Sequence, residues 1–138
     1  SAWVKVAENA AAGICYTSCT TGDPKGVVYS HRSNVIHALA CNQVDAFGLG
    51  AADRVMPVVP MFHANGWSLA LCAPMAGAAL VMPGAKLDGA SVHEVIERER
   101  VTFSAAVPTV WMMLLQHMEA TGSRIDSMQR VARNSQRT

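Results

Sequence analysis

Apolar residues occur along this chain in short runs separated by small, polar and turn-forming residues, a pattern that predicts alternating strands and helices. Gly13 to Ser18 is short, apolar and β-compatible, and Val27 to Ser30 resumes that character. Between them, Cys19 to Gly26 is a run of small, hydroxyl, Gly and Pro residues that reads as a polar loop. Ser33 is the expected N-cap of a helix of about 14 residues, in which Val35 and Leu39, and Ile36, Ala40 and Val44, recur at i, i+4 before Gly48 and Gly50 stop it. Arg54 to Pro60 is a second apolar β run, His63 to Ala73 is compact enough for a short buried helix, and Ala78 to Met82 reads as a further strand. Asp88 or Ser91 caps a helix with the stripe Val92, Val95 and Ile96, whose Glu94, Glu97, Arg98, Glu99 and Arg100 face water. Thr102 to Val107 is another strand, after which Pro108 opens a helix with Trp111, Leu114, Leu115 and Met118 on one face and Gly122 at its end. Such alternation implies parallel βαβ crossovers, so the expected class is α/β: a mostly parallel sheet with helices on both faces.

The 138 residues are about one domain's worth, and 51% hydrophobic against 15% charged residues excludes intrinsic disorder. Eleven Lys and Arg balance ten Asp and Glu, so no global field recruits nucleic acid or an acidic membrane, and any anion site must be local. Cys15, Cys19, Cys41 and Cys72 show no CxxC spacing and no neighbouring ligand histidines, which argues against zinc and against a disulfide framework. Reduced thiols in a cytosol fit best, and the expected location is cytoplasmic. Pro57, Pro60, Pro74 and Pro83 break the apolar runs long before the ~20 residues that span a bilayer, and no basic-then-apolar signal opens the chain.

Candidate chemistry concentrates in Tyr16-Thr17-Ser18-Cys19-Thr20-Thr21-Gly22-Asp23-Pro24-Lys25-Gly26. Backbone NH groups of a Gly-containing turn point into one concavity, the hydroxyls of Thr17, Ser18, Thr20 and Thr21 add donors, and Lys25 brings a mobile positive charge: a set that suits phosphate oxygens. The spacing does not match a Walker A loop, and a polar hairpin turn accounts for the composition equally well. A second candidate is His63 beside Phe62 and Trp67: an imidazole at the mouth of an apolar pocket can donate to a carboxylate, and an indole can wall or gate an alkyl chain, with ordinary core packing as the alternative. His31 reads as a loop residue and His37 as a helix-surface residue, while Trp111, Met112, Met113 and Met118 sit at helical core spacing.

These residues resemble the adenylate-forming, or AMP-binding, superfamily, whose signature is Tyr-Thr-Ser-Gly-Thr-Thr-Gly-x-Pro-Lys-Gly; ten of eleven positions agree, counting the free one. The resemblance continues through Val27 to Ser33, Val58 to Trp67, Pro83-Gly84 and Val107 to Trp111, and the Pro-Met-Phe-His-x-Asn-x-Trp form is similar to the fatty-acyl-CoA synthetase branch. It implies that Thr17, Ser18, Thr20, Thr21, Gly22 and Lys25 hold the β- and γ-phosphates of ATP, with Thr17 beside Mg²⁺. It implies that Phe62, His63 and Trp67 place the acyl group, His63 being the catalytic candidate. The implied reaction joins a medium- or long-chain fatty acid to ATP, giving acyl-AMP and pyrophosphate, and then to CoA. A homodimer is left open, since some relatives dimerise. On this reading residues 1–131 are a partial AMP-binding N-terminal domain and 132–138 a divergent polar tail. The adenine contacts, the Glu for Mg²⁺ and the adenylation Lys lie outside the sequence, so little ligase turnover is expected of the chain alone. The alternatives are a truncated non-catalytic remnant or interaction module, and a nucleotide hydrolase. Cys19 stands where the family has glycine; a Cβ at a left-handed position costs about 1 to 2 kcal/mol, which predicts weakened ATP binding, while a reactive-thiol role is the lesser reading.

Overall fold

The computed structural model describes residues 3–17 and 23–133. Strand β1 (Ala11–Thr17) pairs antiparallel with β2 (Lys25–Ser30), Ile14 opposite Val28 and Thr17 opposite Lys25, so the hydroxyl-rich loop closes a hairpin. Ser30 leaves β2 in extended conformation and its Oγ accepts a 3.1 Å hydrogen bond from the Ser33 amide, which makes Ser30 the N-cap of α1 (His31–Cys41). The cap therefore lies three residues ahead of the position expected from the sequence, His31 belongs to the first helical turn, and the helix has 11 residues, ending at Asn42 well before Gly48. The expected ridge is also misplaced: Val35, Ile36 and Leu39 stay about half exposed while the small Ala38 is buried, because α1 turns its small-residue side toward the core. The hairpin holds the helix through the His31 and Arg32 amides, which donate to the Ala10 and Glu8 carbonyls at 3.1 and 2.8 Å.

The second sheet is parallel in every pairing: β3 (Arg54–Val58), β4 (Ala79–Leu80), β5 (Phe103–Ala106) and β6 (Arg130–Arg133) lie in the order β4-β3-β5-β6. Period-two alternation divides its side chains between two cores. Val55, Phe103 and Ala105 meet Ala38 of α1 and Leu69, Cys72 and Ala73 of α3 (Leu69–Met75). Met56, Val58 and Ala106 meet Val92 and Ile96 of α4 (Gly89–Glu99) and Val110 and Leu114 of α5 (Pro108–Thr121). Helices thus cover both faces, as the alternation of runs predicts. The Asp88 carboxylate caps α4 by accepting from the Ser91 amide at 3.0 Å, and Gly122 ends α5 in left-handed conformation. Leu115 and Met112, expected in the core, are largely exposed, and Glu99 is drawn from solvent by an ion pair with Arg54 at 3.1 Å. The boundary drawn at residue 131 falls inside β6, and Ala132 packs against the core.

At the amino ends of these strands Asp53 organises a lock. Its carboxylate accepts from Arg130 Nη2 at 2.7 Å on both oxygens, from Thr102 Oγ1 at 2.8 Å and from the Gly50 amide at 2.8 Å. Arg130 Nη1 donates to the Phe47 and Gly48 carbonyls, both at 2.8 Å, and its guanidinium lies 5.6 Å from the Phe103 ring centroid. The carboxyl ends carry the opposite feature. The chain leaves β3 for β4 over one face and returns past β3 to β5 over the other, so winding direction reverses at the β3/β5 pair. In open parallel sheets ligands bind at such reversals, beyond the carboxyl ends of the strands. Among the described residues no helix is long and apolar enough to cross a membrane.

Candidate functional site

Beyond the carboxyl end of β3, residues 59–68 carry the chain across that reversal. The expected helix from His63 to Ala73 is broken: α2 (Ala64–Trp67) is one left-handed turn, with φ of 46°, 52°, 60°, 56° and 57° at Ala64, Asn65, Gly66, Trp67 and Ser68, and right-handed winding begins only at Leu69. Left-handed backbone costs about 1–2 kcal/mol at each residue bearing a Cβ, least for Asn. Close packing enforces it here, since a Cβ on Gly66 would stand 2.7 Å from Met61 Sδ. The Ser68 amide donates to Asn65 O at 3.1 Å, and the Ser68 carbonyl then accepts from Leu71 and Cys72 to start α3. Four residues bearing a Cβ are thus held with Gly66 in a sparsely populated backbone region, the kind of local strain that clusters at functional sites.

The turn sends the three residues expected at an acyl site in different directions. Half-buried Trp67, with Asn65 and Ser68, lines a cavity of about 370 Å³ whose far wall is Tyr29 of β2 and Asn34, His37 and Cys41 of α1. Phe62, 78% exposed, lines a separate cavity of about 420 Å³ with Met82, Pro83, Gly84 and Leu87 beyond β4. His63 is exposed and lines neither. The structure therefore separates Phe62 from Trp67, and His37, exposed on the helix surface as the sequence reading has it, also lines the Trp67 cavity. Asn34, His37 and Cys41, spaced i, i+3, i+7, form the helix face that signals it.

His37 Nδ1 and Nε2 lie 3.6 and 3.7 Å from Cys41 Sγ, a histidine closer to a thiol than the sequence spacing suggested. Burial pushes the Cys41 thiol up, against the lowering effect of its hydrogen bond with Cys72. Burial, then the neighbouring Cys41, pushes the Cys72 thiol up to about 12. Both sulfurs stay protonated at neutral pH, so this cavity offers imidazole, carboxamide and hydroxyl groups rather than a thiolate nucleophile. Among the described residues no three His, Cys, Asp or Glu side chains could hold a metal ion together.

In the hairpin, Lys25 is exposed at the first position of β2 and Thr17 closes β1 opposite it. Ser18, Cys19, Thr20, Thr21 and Gly22 lie outside the described residues, as does the Thr17 side chain. Cys15, buried on β1 two residues before Thr17, donates its thiol hydrogen to Asn65 Oδ1 at 3.0 Å, joining the hairpin to the left-handed turn.

Residues 2–134 match the family described as AMP-binding enzyme. The chain belongs to this family. It is 52% identical over 128 residues to a long-chain-fatty-acid–CoA ligase of Thermus thermophilus, covering 93% of this chain and 24% of that protein. It is 49% identical over 129 residues to a medium-chain-fatty-acid–CoA ligase of Ectopseudomonas oleovorans, covering 94% and 24%. The chain thus spans about a quarter of the length of the curated relatives it matches. O-succinylbenzoate coenzyme A synthetase from Bacillus subtilis superposes with a TM-score of 0.76 at 28% identity in its complex with AMP, over 94% of this chain and 26% of that one. Its complex with ATP and magnesium ion gives 0.75 at 28%, over 92% and 26%. The parallel sheet with helices on both faces is accordingly the fold of an AMP-binding enzyme, and the hairpin and the β3 turn are its neighbouring parts.

Proposed function

We propose that this chain supplies the phosphate-binding hairpin and the acid-binding turn of an ATP-dependent acyl-CoA ligase for medium- or long-chain fatty acids. The observation that carries the reading is the joining of two segments distant in sequence: strand β1, which leads into the hydroxyl-rich segment, is bonded through Cys15 to the turn at the carboxyl end of β3. The two fatty-acid–CoA ligases, each near 50% identity, support the reaction class, and the synthetase complexes with AMP and with ATP and magnesium ion support the nucleotide.

In this reading the fatty-acid carboxylate attacks the α-phosphorus of ATP, the bond from that phosphorus to the bridging oxygen breaks, and pyrophosphate leaves. The CoA sulfur then attacks the acyl carbon, losing its proton, and AMP leaves. The hairpin neutralises the departing pyrophosphate through Lys25, the Thr17, Ser18, Thr20 and Thr21 hydroxyls and the Gly22 amide, a contribution that lies almost wholly in charge stabilisation and alignment. Mg²⁺ bound with ATP would shield the β- and γ-phosphates, with Thr17 the residue beside it. Trp67 borders the alkyl chain, while the proposed carboxylate donor His63 is exposed in this structure and lines neither cavity. A cytoplasmic, soluble ligase is the setting we propose, and by itself the chain binds nucleotide without ordinary turnover.

Calorimetry with MgATP tests the reading. Heat of binding in this chain, and tighter binding in Cys19→Gly, is expected, since Cys19 stands where the family's signature has glycine. No heat in either protein contradicts it. A thioester-forming assay on the isolated chain that reached the usual enzymatic range of 1–10³ s⁻¹ would contradict the statement that it does not turn over alone.

A further inference from the structure

We infer that His93 and His117, which face each other where α4 packs on α5, form a two-imidazole binding site for a divalent transition-metal ion of the zinc type. The pair lines neither cavity of the candidate functional site and stands independently of the ligase reading.

Three features of the pair suit an ion. The first is spacing. The two ring centroids are 5.4 Å apart and the ring planes are tilted by 56°. With metal–nitrogen bonds of about 2.0–2.1 Å, two imidazoles on one tetrahedral ion have ring centres roughly 5 Å apart, so small side-chain rotations bring both within bonding range.

The second is a rigid frame. One turn before His93, Gly89 lets the helices approach so closely that a Cβ there would stand 2.2 Å from the Met113 carbonyl oxygen and 2.9 Å from His117 Cβ. Val92 and Ile96, on either side of His93, are buried against the same core as Val110 and Leu114. The two histidines are thus carried on helices that are locked together, while both rings stay half-buried and within reach of solvent.

The third is the tautomer. His93 Nε2 lies 3.3 Å from the Arg124 carbonyl oxygen. A carbonyl only accepts, so in the neutral ring Nε2 carries the hydrogen and Nδ1 keeps its lone pair. A backbone carbonyl holding one ring nitrogen so that the other is free to ligate is the arrangement that orients histidines at metal sites. Imidazole nitrogen favours zinc, nickel and copper over magnesium or calcium. Among the described residues no third His, Cys, Asp or Glu joins the pair, so the remaining positions on the ion fall to water or an added small ligand and the site is open rather than closed.

Two rings that only fill space between helices would give a different result: zinc would not single them out. The test titrates the full chain with zinc chloride by calorimetry, and follows the histidine ring nitrogens of the ¹⁵N-labelled chain by long-range proton–nitrogen correlation. Saturable binding of one equivalent below millimolar zinc is expected, with His93 Nδ1 and one ring nitrogen of His117 shifting while His93 Nε2 stays protonated. Saturating zinc should raise Tm, because the ion ties α4 to α5 only in the folded chain. His93→Gln and His117→Gln, which keep helix-compatible side chains, should each weaken binding at least tenfold, whereas Cys41→Ser, which removes the thiol beside His37, should leave it within twofold. No saturable binding below millimolar zinc overturns the site. Binding that is lost in Cys41→Ser and kept in both glutamine variants overturns it by assigning the ion to the His37 and Cys41 pair. Saturation in wild type with the His93 and His117 ring nitrogens unmoved overturns it as well, whether or not the variants fold.

Discussion

Replacing Asp53 with Asn removes the charge at the centre of the lock beneath the sheet while keeping the side chain's volume. In the native protein that carboxylate accepts from Arg130, Thr102 and the Gly50 amide, and its side chain is 11% exposed. Removing one member of a buried ion pair costs about 3–5 kcal/mol, but the Arg130 side chain is 38% exposed and partly screened, so the expected loss is about 2–3 kcal/mol. For a chain of this size that corresponds to a fall in Tm of roughly 8–12 °C. The pH dependence has a definite sign. Burial pushes the Asp53 carboxyl up, yet its hydrogen bonds from Arg130, Gly50 and Thr102, with the charge of Arg130, outweigh that and hold it below its ordinary value of 3.8. A depressed folded-state value contributes stability above pH 3.8, and that contribution is lost as pH falls through the ordinary value toward the lower one in the folded protein. Urea unfolding of wild type and Asp53→Asn from pH 7 to pH 3 should therefore give two curves that converge in acid, and a cycle with Arg130→Met should recover most of the loss as coupling energy. A difference below about 0.5 kcal/mol at pH 7, the scale of an ordinary surface substitution, or a gap that widens in acid, refutes the lock.

Three further outcomes follow from particular contacts. Gly89→Ala drives a methyl into the Met113 carbonyl, where α4 crosses α5, and should destabilise by about 1–3 kcal/mol in urea unfolding; an unchanged midpoint would show that the helices separate freely. Ser30→Ala removes the α1 cap and should cost about 1 kcal/mol, with amide exchange accelerating first in residues 31–34. With its thiol pushed up to about 12, Cys72 has on the order of one part in ten thousand thiolate at pH 8, so an aromatic disulfide reagent should leave Cys72 unmodified until the chain is unfolded.

The sheet was legible because buried parallel strands leave apolar runs: Arg54 to Pro60 and Thr102 to Val107 each contain the strand that forms, trimmed at the ends. Asp88, Pro108 and Gly122 marked helix ends through chemistry that acts locally. The left-handed turn was not legible, since Ala64, Trp67 and Ser68 have no intrinsic preference for it; the packing of Gly66 on Met61 and the bond from Asn65 to Cys15 are tertiary. For the same reason the second wall of the Trp67 cavity escaped notice. Asn34 and His37 are polar positions on a helix whose apolar Val35, Ile36 and Leu39 suggested the opposite face as the buried one, and only the docking of Ala38 against α3 decides the rotation. The resemblance around Thr17 to Lys25 identified the family from residue identities, and the hairpin pairing of Thr17 with Lys25 brings the two ends of that segment together.

In the proposed ligase, the loop joining Thr17 to Lys25 receives the pyrophosphate portion of a nucleotide. Titrating ¹⁵N-labelled chain with magnesium pyrophosphate, and recording which backbone amides move, tests it most directly. The largest and saturable shifts are expected in residues 17–26, with affinity reduced at least tenfold in Lys25→Ala, which removes a charge-assisted contact worth about 1.5–3 kcal/mol. Saturable shifts confined to other parts of the chain, or none at millimolar pyrophosphate, would contradict the claim.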